Sequence, residues 1–188
     1  MNIKIVENFV NEKDLKELNN WTFNNHKSSF FTDANMGKPF TRLTTRYCGK
    51  EKNFNYPKTA YKIKDKIVEY LNIKEKYLSP PLGKDCIING IGFKNGKIYP
   101  HKDPIWFPNT HTIHCNILSK KCIEGGNLII EKKTYNLEEG DLIIYEVSEL
   151  NHSVSLIKGN TPRIVWVFSF SVYKNCLHNI FKNNLLYH

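Results

Sequence analysis

With 188 residues, 40% of them hydrophobic, the chain is long enough for one domain with a proper core and too short for two comfortable ones. No run reaches the roughly eighteen apolar residues of a membrane span, "MNIKIVENFVNEKDLKEL" lacks the basic and apolar regions of a signal peptide, and five irregularly spaced cysteines make no disulfide framework, so a soluble, reduced, cytoplasmic protein is expected. The net charge of +9 comes from Lys spread along the chain, which fits a solvated surface or an anionic partner such as nucleic acid; Arg occurs three times, at Arg42, Arg46 and Arg163.

Taken in chain order, "NEKDLKELNNWTF" sets Leu15, Leu18, Trp21 and Phe23 at roughly helical spacing, with Asn11 as the N-cap. "YPKTAYKIKDKIVEYLNI" repeats the pattern through Ala60, Ile63, Ile67, Val68 and Leu71, and "SPPLG" at Ser79 to Gly83 breaks it. Beyond the breaker the texture changes. "CIINGIGF", "HTIHCNIL", "GNLIIEK", "GDLIIYEV" and "RIVWVFSFSV" are short, rich in Ile, Val and aromatics, and separated by turn residues rather than helices. The expected fold is α+β, mainly β: a double-stranded β-helix (jelly roll) with N-terminal helices packed on one side. Residues 1–188 are expected to form a single domain, with 1–85 as helical support and substrate-side segment and 86–174 as the jelly-roll core.

Chemistry enters at "GKIYPHKDP". His101 and Asp103 stand at i and i+2, on one face if the segment is a strand. Alone the pair is a weak signal, and a surface accident explains it equally well. His152, in "SELNHSVSL", supplies a second imidazole about fifty residues on, although it also reads as a loop histidine. Two His and one carboxylate with open positions are the ligand set of non-haem Fe(II) oxygenases. A jelly roll can supply two of them from one strand and the third from a strand across the barrel.

Arg163 heads the last apolar strand, sharing a face with Val165, Val167 and Ser169, while Ile164, Trp166, Phe168 and Phe170 form the opposite, core-like face. An Arg there either snorkels to solvent or meets an anion, for which a dicarboxylate offers bidentate hydrogen bonds. His114 and Asn116 share a face with Thr112 that lines the barrel mouth or faces water. Trp106 and Phe107, in "IWFPNTH", stack on a substrate or close the rim.

Taken together, His101-x-Asp103, "SKKCIEGGNLII", "LEEGDLIIYEVSELNHSV" and Arg163 eleven residues after His152 resemble the Fe(II)- and 2-oxoglutarate-dependent dioxygenases, in particular their prolyl-hydroxylase-like branch. The resemblance spans roughly residues 87 to 173 and includes the Gly125-Gly126 and Gly140-Asp141 turns. "IVENFVNEKDLKEL" is similar to that branch's opening strand and helix. It implies that His101, Asp103 and His152 hold Fe(II), that Arg163 binds the distal carboxylate of 2-oxoglutarate, and that O2 is consumed with release of succinate and CO2. Asp103, where halogenating relatives lack a carboxylate, implies hydroxylation. The branch often carries a Tyr near Phe93 that helps hold 2-oxoglutarate; Tyr99 or Asn116 is expected to compensate. A peptide or small-molecule substrate is favoured.

Other readings stay open. "FTRLTTRYCGKEKNFNYP" has some flavour of AlkB-type nucleic-acid demethylases, with Arg42 and Arg46 as phosphate contacts, although Ser169 stands where those enzymes carry a second Arg. "HTIHCNI" suggests the aspartyl/asparaginyl β-hydroxylases more weakly. A zinc site from His111, His114, Cys115 and Cys122 is a further possibility, as is a non-catalytic jelly roll that binds sugar or protein.

Overall fold

Asn11 opens the first helix as its sequence position predicts. Its backbone is extended (φ −76°, ψ 163°) and its Oδ1 accepts the Asp14 N–H at 2.9 Å, satisfying one of the orphan donors of the first turn. In the computed structural model, residues 3–28, 32–33, 42–47, 55–79 and 86–182 are described. In chain order they form β1 (Ile3–Val6), α1 (Glu12–Asn25), β2 (Thr32–Asp33), β3 (Arg42–Tyr47), α2 (Lys58–Tyr70), β4 (Cys86–Gly92) and β5 (Ile98–His101). There follow β6 (Thr110–Lys120), β7 (Glu124–Gly125), β8 (Leu128–Ile130), β9 (Lys133–Tyr135), β10 (Leu142–Glu146), β11 (His152–Val154), β12 (Ile157–Lys158), β13 (Arg163–Tyr173) and α3 (Lys174–Lys182).

The strands pair antiparallel into a large sheet in the order β1-β10-β6-β13-β4-β3-β2, a smaller one in the order β5-β11-β8-β9, and a short β12-β7 ribbon. This is the expected jelly roll with helices on one side. The first third is less helical than its periodicity suggested: β1 adds an edge to the large sheet, and β2 and β3 continue it beyond β4. β3 falls in "FTRLTTRYCG", a stretch with no clear local strand signal. Its partner β4 lies more than forty residues on, with Arg42 opposite Gly92 and Tyr47 opposite Ile87. The side chains of Arg42 and Arg46, like all of Cys48 and residues 80–85, lie outside the described residues.

Alternation along β6, β10 and β13 sorts two cores onto opposite faces of the large sheet. Ile113, Cys115, Ile117, Ile144, Ile164, Trp166, Phe168 and Phe170 pack with Leu15, Leu18, Ala60, Ile63 and Ile67 of the helices. Trp166 is fully buried, its ring centroid 5.5 Å from those of Trp21 and Tyr56. The other face, with Leu118, Ile143, Tyr145 and Val147, meets Leu128, Ile130 and Val154 of the smaller sheet. Gly140 makes the turn into β10 at φ +95°, where a Cβ would sit 2.6 Å from the Val10 carbonyl oxygen. Beside it Asp141 accepts the N–H groups of Asn8 and Glu138, at 3.0 and 2.8 Å, so the Gly-Asp pair fastens the start of α1 to the sheet. Among the described residues no helix is long and apolar enough to cross a membrane.

Candidate active site

His101 closes β5 and His152 opens β11, and the two are directly opposite in the ladder, their ring centroids 4.3 Å apart. They come from neighbouring strands of the small sheet, where a strand across the barrel had been expected for His152. Just before His101 the pairing slips: Ile98 faces Val154, so Tyr99 and Pro100 together stand against Ser153. This is a β-bulge, and Pro100, lacking an N–H, loses nothing where the ladder is interrupted. The bulge breaks strict alternation. Ile98 and His101 both line the cavity, whereas Tyr99 is 37% exposed with Lys97 Nζ 4.2 Å from its ring centroid. Tyr99 therefore contributes its carbonyl to the site and its ring to the surface, against the expectation that it helps hold a co-substrate.

Asp103 lies two residues past the end of β5, positioned by its N–H, which donates to the Val147 carbonyl at 3.0 Å. Its Oδ1 is 3.3 Å from His101 Nε2 and 3.9 Å from His152 Nε2, and one donor atom from each of the three residues lies within 4.8 Å of the others. The far nitrogen of each imidazole faces a carbonyl: His101 Nδ1 is 2.8 Å from Tyr99 O, and His152 Nδ1 is 3.2 Å from Leu150 O. A carbonyl only accepts, so Nδ1 carries the proton in each neutral ring and Nε2 presents its lone pair to the centre.

Burial opposes ionisation of Asp103. With the rings protonated, the hydrogen bond from His101 and the charges of His114, His152 and His101 outweigh it and hold the carboxyl at about 2. His114 was placed by its sequence between cavity and solvent. It faces the cavity, with Nε2 3.3 Å from Asp103 Oδ2, so the carboxylate is held at one oxygen while the other meets the two paired histidines.

A cavity of about 400 Å³ opens onto this cluster, and Arg163, Asn116 and Tyr145 are part of its wall. Arg163 is 8% exposed, which settles the choice between snorkelling and burial in favour of burial. Its path exists because residue 126 is Gly: a Cβ there would come within 2.5 Å of Cys122 Sγ and 3.1 Å of Arg163 Cδ, at a φ of +65°. Asn116 Nδ2 donates to the Tyr145 hydroxyl at 3.1 Å, leaving the buried Asn116 Oδ1 without a hydrogen-bond partner. Tyr145 lies inside the strand signal "GDLIIYEV", where nothing local singles it out. The pairing of Tyr145 with His114 across β10 and β6 turns it into the cavity, which no local pattern reveals.

Trp106 lines the mouth and is 47% exposed, whereas Phe107 is absent from the wall and its carbonyl accepts the Thr110 hydroxyl at 2.7 Å. Phe93 packs at the edge of the helix-side core, 5.8 Å from the ring of His26. The four residues of the zinc reading do not converge. His114 lies in the cavity, Cys115 is fully buried on the other face with its thiol pushed far up by burial, and Cys122 Sγ lies 3.2 Å from the Gly125 carbonyl oxygen.

No family model matches the sequence, and no curated protein matches it. Solved structures do. A prolyl-4-hydroxylase from Pseudomonas putida superimposes with a TM-score of 0.66 at 11% identity, over 92% of this chain and 92% of that one. A prolyl hydroxylase from Trichoplax adhaerens, in complex with a hypoxia inducible factor peptide fragment, gives 0.68 at 13% identity, over 93% and 84%. The viral collagen prolyl hydroxylase of Paramecium bursaria Chlorella virus-1, in its 2OG complex, gives 0.63 at 15% identity, over 93% and 97%.

The chain has the prolyl-hydroxylase fold.

At these identities the likeness is one of fold. What the fold positions in this chain can be tested on its own residues. Two imidazole nitrogens with tautomers set by carbonyls and an ionised carboxylate fit a borderline divalent metal such as Fe(II). The buried guanidinium of Arg163, with the Tyr145 hydroxyl and the Asn116 Nδ2 amide group in the same wall, fits a small dicarboxylate such as 2-oxoglutarate.

Proposed function

We propose that this protein is an Fe(II)- and 2-oxoglutarate-dependent hydroxylase acting on a peptide substrate, with residues 1–188 serving as one oxygenase domain. The observation that carries the reading is the convergence of His101, Asp103 and His152 on a cavity whose wall also holds the buried Arg163. In the proposed mechanism these three side chains hold the metal. When bound, Fe(II) with 2-oxoglutarate and O2 supplies the oxidising chemistry, the co-substrate leaving as succinate and CO2.

The rest is the protein's part. The carbonyls of Tyr99 and Leu150 fix the two imidazoles, and His114 fixes the orientation of the Asp103 carboxylate. Arg163 takes the distal carboxylate of 2-oxoglutarate as a charge-assisted, planar pairing, with Asn116 and Tyr145 as neutral partners beside it. Ile98, Leu128, Val165 and Val167 line the same cavity, an apolar lining that keeps bulk water from the reacting centre.

Trp106, exposed at the mouth beside Pro104 and Lys102, gives a peptide an aromatic platform and a cation. The peptide complex of the Trichoplax relative supports that substrate class.

The test is an anaerobic absorption titration of metal-free protein with Fe(II) and then 2-oxoglutarate, followed by succinate release under air. A charge-transfer band that needs both additions and is lost in Asp103→Ala is the expected result. Folded protein that shows no band and releases no succinate overturns the reading.

A further inference from the structure

A second group of metal-type donors lies on the opposite face of the same strands. His111 is near the start of β6, Glu146 ends β10, and Glu149 stands in the turn that follows. Alternation sets His111 and Glu146 one residue out of phase with the cavity-facing side chains. His111 shares its face with Ile113 and Cys115, and Glu146 shares its face with Leu142 and Ile144, all four apolar residues belonging to the helix-side core. His111 Nδ1 contacts Glu146 Oε1 and lies 3.8 Å from Glu149 Oε1, and one donor atom from each residue falls within 4.8 Å of the others.

Glu146 is 6% exposed, and its Oε1 is paired with His111 Nδ1. A buried carboxylate is costly even when one imidazole meets it. A second carboxylate beside it adds repulsion to that cost. Burial, joined by the charge of Glu149, raises the Glu146 carboxyl above the ordinary range even though His111 and Lys174 act in the opposite direction. A divalent cation resolves the arrangement: it neutralises both carboxylates and gives Nδ1 and Oε1 a common partner. Glu149, with 49% of its side chain exposed, leaves a path from solvent.

We propose that His111, Glu146 and Glu149 form a second divalent-cation site of the Zn(II) or Mn(II) class, separate from the cavity cluster. One nitrogen and two carboxylate oxygens suit such a borderline-to-hard ion. Its place in the fold gives it a job. Glu146 and Glu149 bracket Val147 and Ser148. The Val147 carbonyl receives the Asp103 N–H at 3.0 Å, and Thr112, next to His111, bonds this turn through both its carbonyl and its N–H, to Val147 N and Ser148 Oγ at 3.0 Å each. Glu149 is also three residues from His152. A cation here clamps the turn on which two of the cavity's three converging donors rest.

The experiment counts Zn(II) bound to the metal-free, full-length protein in the wild type and in Asp103→Ala, Glu146→Gln and Glu149→Gln, by competition with a chromophoric chelator. Two equivalents are expected in the wild type and one in each variant, and none in Asp103→Ala combined with Glu149→Gln. Glu149→Gln carries the test if Glu146→Gln does not fold, because Glu149 is at the surface. A single wild-type equivalent that disappears in Asp103→Ala overturns the second site, as do two equivalents retained by Glu149→Gln. The proposal does not rest on the hydroxylase reading: the one equivalent kept by Asp103→Ala and lost on adding Glu149→Gln reports this site alone.

Discussion

The two faces of the large sheet share one backbone and one hydrogen-bond ladder, yet they carry different burdens. On the helix side, Ile113, Cys115, Ile117, Ile144, Trp166 and Phe168 meet Leu15, Leu18 and Ile63 with no room for water. On the cavity side, the same strands present His114, Asn116, Tyr145 and Arg163 around a space of about 400 Å³. One face holds the fold together by apolar burial. The other buries polar groups at a cost in stability and gains a site. Changes on the cavity face should alter chemistry while the protein stays folded, and changes on the helix face should do the reverse.

The sharpest break is Asp103→Ala. Turnover should fall to background, more than about 10³-fold, because a three-ligand metal set loses its only carboxylate. Stability measured by urea unfolding should fall by no more than about 2 kcal/mol, and unfolding of the variant would erase the distinction between faces. Trp166→Ala is the mirror case. A fully buried Trp replaced by Ala should cost about 3–5 kcal/mol, read as a lower urea midpoint at unchanged slope.

Arg163→Gln should raise the 2-oxoglutarate KM on the order of 10²-fold, since a buried charge-assisted pairing is worth about 2–5 kcal/mol. Steady-state kinetics at saturating Fe(II) would show it, and an unchanged KM would remove Arg163 from the co-substrate site. His114→Gln should weaken Fe(II) binding about 10- to 100-fold, the usual cost of losing an outer partner of a ligand; titration of Fe(II) under argon checks it.

The smallest effect lies in acid. Asp103 titrates at about 2 when folded, against an ordinary 3.8. A lowered folded value means its stabilisation of the metal-free protein is fully present above pH 3.8 and is lost as the pH falls toward 2, about 2 kcal/mol in all. Asp103→Asn should flatten the acid limb of stability by that amount.

Legibility in the sequence followed the same division. Trp166, Phe168 and Phe170 were placed in the core by alternation along a single strand, and alternation also turned Arg163 away from them. The order and spacing of His101, Asp103, His152 and Arg163 carried the cluster. Tyr99 was misplaced because period two was extended through a bulge that only pairing with β11 reveals. Tyr145 was passed over and His114 left undecided because their meeting depends on the register of two strands about thirty residues apart. β3 was missed for the same reason, its partner β4 lying far downstream. A strand's own composition fixes which residues share a face; the choice of face belongs to its neighbours.

The bulge before His101 also sets where the chain tolerates a change of length. Tyr99 and Pro100 together occupy one step of the ladder, so losing either regularises the strand with Ile98 and His101 still on the cavity side, at the cost of the Tyr99 carbonyl contact to His101 Nδ1. Losing Lys102 instead shortens the tether between His101 and Asp103 and pulls the Asp103 N–H off the Val147 carbonyl that accepts it. Deletions within a few residues of one another thus have different fates, one keeping the ligands on their face and the other ending the site.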